Sequence, residues 1–412
     1  MLRMYSRFKP QYNYKEIISA LFPSSRVVKK YEDQFAQKFQ RPYAVMFNYG
    51  RSALYSLFKV WNLQNAEIIC PAYTCVVVPH AIVLSQNIPV FVDSQDDHFN
   101  MSLEGIRNAI TPKTRAIIVT HIFGYPVDVE SVERIVSQAE QKFKHKIYII
   151  QDCAHSFGTQ WNNKSVTQFG DASIFGLNIS KTINSIFGGM AITSDQETYN
   201  RLLQYRQENF YKPPIGKGFR YFLYLIGSHI AFNSFIYSIV YKMEKNGWLN
   251  RFTKYYDEGK IDFPSDWDQL PCPIQARIGI VQLSKYDHII RQRVQFARRL
   301  PSLVSHLKGV KLPPFYEGAT YSHFVGIVEN PHVWCTQFEK IGIQLGRIID
   351  YSVPEMKAYK NYRRGNYPNA LHYSKSLINF PLFTKLSNKK LTHLKKTLPS
   401  ETLDETNSNP EV

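Results

Sequence analysis

The sequence predicts an α/β protein: a mostly parallel mixed sheet covered on both faces by helices, followed by a smaller carboxy-terminal α+β unit. Three observations carry this. Short runs rich in β-branched and aromatic residues recur between residues 43 and 194. Amphipathic stretches with helical spacing separate them, and such alternation calls for parallel strands joined by crossover helices. At 412 residues and 44% hydrophobic side chains, the chain can also bury a large core, which excludes wholesale disorder.

Taken in order, YAVMFN (43–48), AEIIC (66–70), IPVFV (88–92), RAIIVTH (115–121), KIYIIQD (146–152), ASIFGL (172–177) and MAITS (190–194) read as strands. SALYSLFKVW, VVPHAIVLSQ and VESVERIVSQAEQKF read as helices between them. Sheets of this kind bind ligands at the carboxyl ends of their strands. After residue 205 the pattern changes. Residues 221–241 contain no Asp, Glu, Lys or Arg, and their length meets the ~20 residues of a membrane span. The chain must nevertheless return to complete the same unit with 274–300, which argues against a single crossing. Two readings stay open for 219–245. One is helices packed on the protein or at a subunit contact, with Gly227, Ala231, Ser234 and Ser238 as a small-residue stripe. The other is a patch on a membrane surface, with Arg220, Lys242 and Lys245 meeting anionic headgroups. One long helix is expected over 274–300, a mixed region to 397, and a disordered polar tail over 398–412.

The charge is +17, and it is unevenly placed: residues 357–396 carry ten Lys/Arg and no acid. Nucleic acid is disfavoured, because no zinc-finger spacing, RNA-recognition signature or basic heptad array occurs. The five cysteines lack metal-type spacing, so reduced thiols and no metal site are expected. No apolar run follows the basic amino terminus, so a cytoplasmic protein is expected.

Three segments at strand ends carry chemistry. Asn48-Tyr49-Gly50-Arg51-Ser52 joins a strand to a helix; its amides suit a phosphate, or the segment is an ordinary turn capped by Ser52. Gln151-Asp152-Cys153-Ala154-His155 ends a strand in a carboxylate, which can hold a protonated ring nitrogen or cap a turn. Its Cys153 and His155 also suggest a Cys–His pair, which would need an orienting group and an oxyanion site. Lys181 follows an apolar strand in a loop that returns through Gly188-Gly189; desolvation there would favour the neutral amine that forms Schiff bases. A lysine, a carboxylate and a phosphate turn together suggest pyridoxal phosphate.

The ordered blocks make this specific. GRSAL (50–54), PAYTCVVVPHAIVLSQNIPVFVD (71–93), HIFGYPVD (121–128), QDCAHSFGT (151–159), GDASIFGLNISKTINSIFGGMAIT (170–193), IQARIGIVQLSKYDHIIRQR (274–293) and YPNALHYSKSLINFPLFTKLS (367–387) resemble the DegT/DnrJ/EryC1/StrS family of sugar aminotransferases. The resemblance implies the fold-type I architecture of pyridoxal-phosphate transferases. The large cofactor domain with its amino-terminal arm would span 1–210, an insertion 211–265, and an interdomain helix with the small domain 266–397. Lys181 would form the Schiff base and shuttle protons, and Asp152 would keep the pyridine nitrogen protonated. His155 stands where Gln is usual, near the cofactor hydroxyl. Ser180 and the amides of Gly50, Arg51 and Ser52 would bind the phosphate. Cys75 replaces an aromatic that stacks on the ring, leaving Tyr73 as an alternative. Arg51 replaces Thr, either as a phosphate partner or facing solvent. Gly176 replaces Ser, Phe187 replaces an acid, and the Asn motif that reaches the partner subunit's phosphate is not evident over 260–272. Some relatives are dehydratases with His in place of the lysine, so Lys181 favours transamination. The resemblance further implies a homodimer, L-glutamate as amino donor, and a keto-sugar acceptor, nucleotide-linked, in polysaccharide or glycoconjugate synthesis. The departures leave two alternatives: a non-catalytic regulatory relative and a membrane-associated scaffold.

Overall fold

The computed structural model describes residues 4–22, 26–233, 235–248, 259–305 and 307–381. After α1 (Tyr14–Leu21) and α2 (Val27–Lys38), the strands and helices alternate: β1 (Tyr43–Phe47), α3 (Gly50–Val60), β2 (Glu67–Pro71), α4 (Val77–Leu84), β3 (Ile88–Val92), α5 (Leu103–Ala109), β4 (Thr114–Thr120), α6 (Val129–Phe143) and β5 (Tyr148–Asp152). A small hairpin, β6 (Gln160–Trp161) and β7 (Lys164–Ser165), precedes β8 (Ala172–Gly176), β9 (Gly189–Thr193) and α7 (Gln196–Asn209). The seven-stranded sheet has the order β1-β9-β8-β5-β4-β2-β3. Strands β3, β2, β4, β5 and β8 run parallel, and β9 is antiparallel to both its neighbours. All seven strands expected from sequence are therefore present, in a mostly parallel mixed sheet.

The central strands are apolar throughout because helices cover both faces: Ile68, Ile69, Ile117, Ile118 and Ile150 have no exposed surface. Each such side chain contributes about 1.5–3 kcal/mol by leaving water. Helix α6 shows how the cover is built. Asp128 caps it by accepting the Ser131 N–H at 2.9 Å, and Val132, Ile135, Val136 and Ala139 turn one stripe onto the sheet.

Beyond α7 come α8 (Lys217–Ala231) and α9 (Tyr237–Lys245), two helices separated by a turn. Among the described residues no helix is long and apolar enough to cross a membrane. The turn also breaks the small-residue stripe: Gly227 is exposed, Ala231 is half-buried, and Ser238 is buried where it accepts the Met4 N–H. Ser234 lies outside the described residues.

The single helix expected over 274–300 is instead two, α10 (Pro273–Ser284) and α11 (Tyr286–Val304). Lys285 makes the break: its N–H bonds the Gln282 carbonyl three residues back, and its ammonium reaches Glu16 and the Gln11 carbonyl. The carboxy-terminal part is α+β, with an antiparallel sheet of β10 (Val310–Lys311), β11 (Phe324–Val328) and β12 (Leu377–Phe380). It carries α12 (Pro331–Lys340) and α13 (Pro368–Ser376), and one apolar cluster runs from the large sheet into the small one. The tail expected to be disordered, 398–412, lies outside the described residues.

Candidate active site

Strand β5 ends in Asp152, flanked in register by Thr120 of β4 and Ile174 of β8. The carboxylate accepts the Ala154 N–H at 3.0 Å and the Thr120 hydroxyl at 3.2 Å. Burial pushes its pKa up, while the Ala154 amide, the Lys181 charge and Thr120 oppose the shift. Strand β8 ends at Gly176, and a Cβ built there would stand 3.5 Å from Lys181 Cε and 3.7 Å from Ala154 Cβ. Lys181 therefore lies directly over the strand end, beside the Asp152 segment. Burial lowers its pKa, opposed by Cys75 and Asp152. Among the described residues its ammonium has no hydrogen-bond or ion-pair partner. A cation enclosed in this way favours the neutral amine.

His155 is buried on the other side of this cluster. The Phe123 N–H donates to its Nδ1 at 3.4 Å, and the two rings stack at 5.8 Å and 12°. Burial, Lys181 and His323 hold its pKa well below the ordinary value, so the ring is neutral. With Nδ1 accepting, the proton sits on Nε2. His323 meets the ring edge-on at 5.0 Å.

The turn that opens α3 is pressed against the same strand ends. A Cβ on Gly50 would lie 3.0 Å from the Phe175 carbonyl oxygen and 3.1 Å from Gly176 Cα. One on Gly189 would lie 2.2 Å from the Tyr49 carbonyl carbon. Helix α3 has no side-chain cap, so its first amides and its dipole are available to an anion. Ser52 does not supply a cap, because its hydroxyl donates to the Trp267 carbonyl at 2.6 Å. Arg51 does not simply face solvent. Its half-buried guanidinium lies 5.7 Å from the Tyr49 ring centre and interacts with Cys75, Asp262 and Asp266, while burial lowers its pKa. Among the described residues it has no ion-pair partner.

The other expected residues have the following positions. Tyr73 has a core position: it is fully buried, donates to the Ile349 carbonyl at 3.1 Å, and packs edge-on against Phe123. Its ring is thus not presented as a stacking surface; Cys75 is half-buried and senses both Arg51 and Lys181. Ser180 is exposed, and its hydroxyl donates to Asn178 Oδ1 at 2.6 Å, so it shapes the turn before Lys181. No Cys–His pair forms: the Cys153 thiol is buried in the aromatic cluster of Phe157 and Phe175, where burial pushes its pKa far up. Among the described residues no cluster could hold a metal.

Helix α8 packs against both the Phe187 position and the 260–272 segment. Phe187 packs against Tyr221 and Tyr224 at 5.4 Å each, where a charged acid would be stranded. Lys217, buried at the start of α8, binds Asp266 at 2.8 Å and Gln269 at 2.6 Å, and Asp266 accepts the Tyr49 hydroxyl at 2.7 Å. The segment before α10 is thereby tied over the α3 turn of its own chain. Sequence reasoning missed Thr120, Phe123 and His323. Thr120 was signalled by the end of its strand; His323 arrives from about 170 residues away in sequence through a fold-level juxtaposition.

This arrangement fits known proteins. The sequence profile of the DegT/DnrJ/EryC1/StrS aminotransferase family matches residues 16–234 and 272–398. The chain belongs to that family. Pyridoxal phosphate is the cofactor of the family, and the gap between the two matched stretches, 235–271, begins after α8 and covers α9. GDP-perosamine synthase of Escherichia coli O157:H7 is 34% identical over 180 residues, 43% of this chain and 48% of that protein, so the match spans about half of that relative's length. dTDP-4-amino-4,6-dideoxy-D-glucose transaminase of Shigella dysenteriae is 29% identical over 378 residues, 90% of this chain and 89% of that one. Among solved structures, the putative sugar aminotransferase Spr1654 from Streptococcus pneumoniae superposes with a TM-score of 0.75 at 22% identity, covering 95% of this chain and 98% of that one. That likeness establishes the fold.

Proposed function

We propose that the protein is a pyridoxal-phosphate-dependent aminotransferase that moves an amino group from L-glutamate to a keto-sugar, nucleotide-linked, in polysaccharide or glycoconjugate synthesis. The observation that carries the reading is Lys181, a desolvated amine with no acid bound to it, set beside Asp152 and a neutral His155. When bound, pyridoxal phosphate supplies an electron sink for negative charge developing on a substrate carbon.

The residues present suit that group. Asp152 is a buried carboxylate whose pKa burial raises, and a protonated ring nitrogen beside it would stabilise its charged form. His155 keeps an Nε2–H to donate to an oxygen. The uncapped amides of α3 and the Arg51 charge would hold a phosphate, with the Ser52 amide serving where its hydroxyl is engaged. Lys181 Nζ would take a proton from the donor carbon and return one to the acceptor, which requires the neutral amine that burial favours. Family members include a 3-dehydratase, GDP-4-keto-6-deoxy-D-mannose 3-dehydratase of Escherichia coli O55:H7, 30% identical over 192 residues; the lysine retained here favours transamination. We also propose that the chain works as a homodimer and sits peripherally on a membrane through residues 219–245.

The test is a half-reaction. The holoenzyme with L-glutamate should release one equivalent of 2-oxoglutarate, and the charged enzyme should then aminate a keto-sugar nucleotide. Release of no 2-oxo acid, from glutamate or from any other amino acid, would refute the enzymatic reading.

A further inference from the structure

Helix α8 is apolar on two opposite faces. Its inner side buries Tyr221 and Leu225 against Ala20, Ile274 and Ile278. Its outer side presents Phe219, Leu223 and Ile230, which are 66%, 52% and 49% exposed. Spacings of four and seven residues place these three on one stripe. Helix α1, packed beside α8, adds exposed Ile18 and Leu21, followed by exposed Phe22; Ile236 and Ile239, at the start of α9, are exposed as well. Large apolar side chains grouped in this way mark a surface that something covers.

Charge selects the cover. Residues 209–243 contain no acid, and Lys212, Arg220 and Lys242 are exposed along this stretch. A second copy placed on this face by a two-fold axis would set that basic rim against itself. A lipid surface provides both an apolar boundary and anionic headgroups. Since no described helix is long and apolar enough to cross a bilayer, the face would lie on one.

We propose that α8, with α1 beside it, docks flat on an anionic lipid surface. Phe219, Leu223 and Ile230 enter the acyl boundary, and Lys212, Arg220 and Lys242 meet headgroup phosphates. This rests on the peripheral position proposed above and gives it a face and a lipid class; it is independent of the amino-transfer chemistry. Trp248, exposed at the end of α9, is a built-in reporter.

The experiment is flotation of the full-length holoenzyme with vesicles of phosphatidylcholine, alone or mixed with phosphatidylglycerol. Binding is expected to the mixed vesicles only, weakened by salt, with a blue shift of fluorescence that Trp248→Phe removes. Phe219→Asp with Leu223→Asp should cut the bound fraction at least about tenfold, given the apolar surface lost from the boundary. Arg220→Glu with Lys242→Glu should do the same. Retained cofactor absorbance shows that each variant is folded. Absence of binding to either vesicle, equal binding to both, or wild-type binding by the Asp variant would overturn the proposal. So would a wild-type dimer that ignores vesicles and that the Asp variant converts to monomer, which assigns the face to a second copy. Glutamate half-reaction activity in a chain that ignores vesicles would leave the aminotransferase reading standing.

Discussion

Replacing Gly189 by Ala perturbs the contact that sets the α3 turn over the strand ends. The added Cβ would stand 2.2 Å from the Tyr49 carbonyl carbon, 2.3 Å from the Tyr49 oxygen and 2.3 Å from the Gly50 nitrogen. That is more than about 1 Å inside the ordinary separation of non-bonded heavy atoms. All three atoms are backbone, so no rotamer change relieves the contact. Residue 189 is also paired on both sides, to Phe47 of β1 and Gly176 of β8, so the α3 turn must yield. Overpacking of this kind costs about 1–3 kcal/mol. If the strain is taken up at the turn, the Kd for pyridoxal phosphate should rise about fivefold to a hundredfold. Gly227→Ala is the control: a Cβ there meets nothing within 4 Å, and in the interior of α8 it should stabilise by about 0.5–1 kcal/mol. Urea unfolding and a fluorescence titration with pyridoxal phosphate read both quantities. A Gly189→Ala chain with unchanged stability and unchanged affinity refutes the close approach.

Glu32 is buried and accepts from Arg206 at 2.5 Å and from the Met46 N–H at 2.8 Å, so Glu32→Ala should cost about 3–5 kcal/mol in urea unfolding by leaving the Arg206 charge without its acid and the Met46 N–H without its acceptor. Ser52→Ala removes a hydroxyl bound to the Trp267 carbonyl and should cost about 0.5–1.5 kcal/mol of stability, with cofactor affinity changed less than about threefold; a larger loss of affinity would return the hydroxyl to the phosphate. Lys181 has a pKa lowered by burial, so its charged form is less favourable folded than unfolded, and the residue destabilises the fold at pH values below the ordinary lysine value. Lys181→Met should therefore stabilise the cofactor-free chain at pH 7, and the gain should fade as pH rises toward the ordinary lysine value of 10.5. A gain independent of pH would contradict the burial of the ammonium.

What the sequence revealed is what local pattern encodes. Strands such as IPVFV and KIYIIQD are largely apolar because both sheet faces are covered, and they end at Val92 and Asp152 in the structure as in the sequence. Lys181 was legible because its loop is framed by an apolar strand and by Gly188-Gly189. Side-chain direction was not. Whether Tyr73 or Cys75 faces the site depends on the Tyr73 hydroxyl finding the Ile349 carbonyl, a contact across some 280 residues. Ser52 likewise reads as a cap until Trp267 arrives on it. The break at Lys285 depends on Glu16, a partner from α1 that helical periodicity does not register.

The central claim is that Lys181 is the amine that holds the cofactor. Purified wild-type protein supplied with pyridoxal phosphate should show a visible absorbance band that survives desalting and that L-glutamate bleaches. Lys181→Ala, folded by circular dichroism, should lack both the retained band and the bleaching. A band in Lys181→Ala that survives desalting and responds to glutamate as the wild type does would contradict the account.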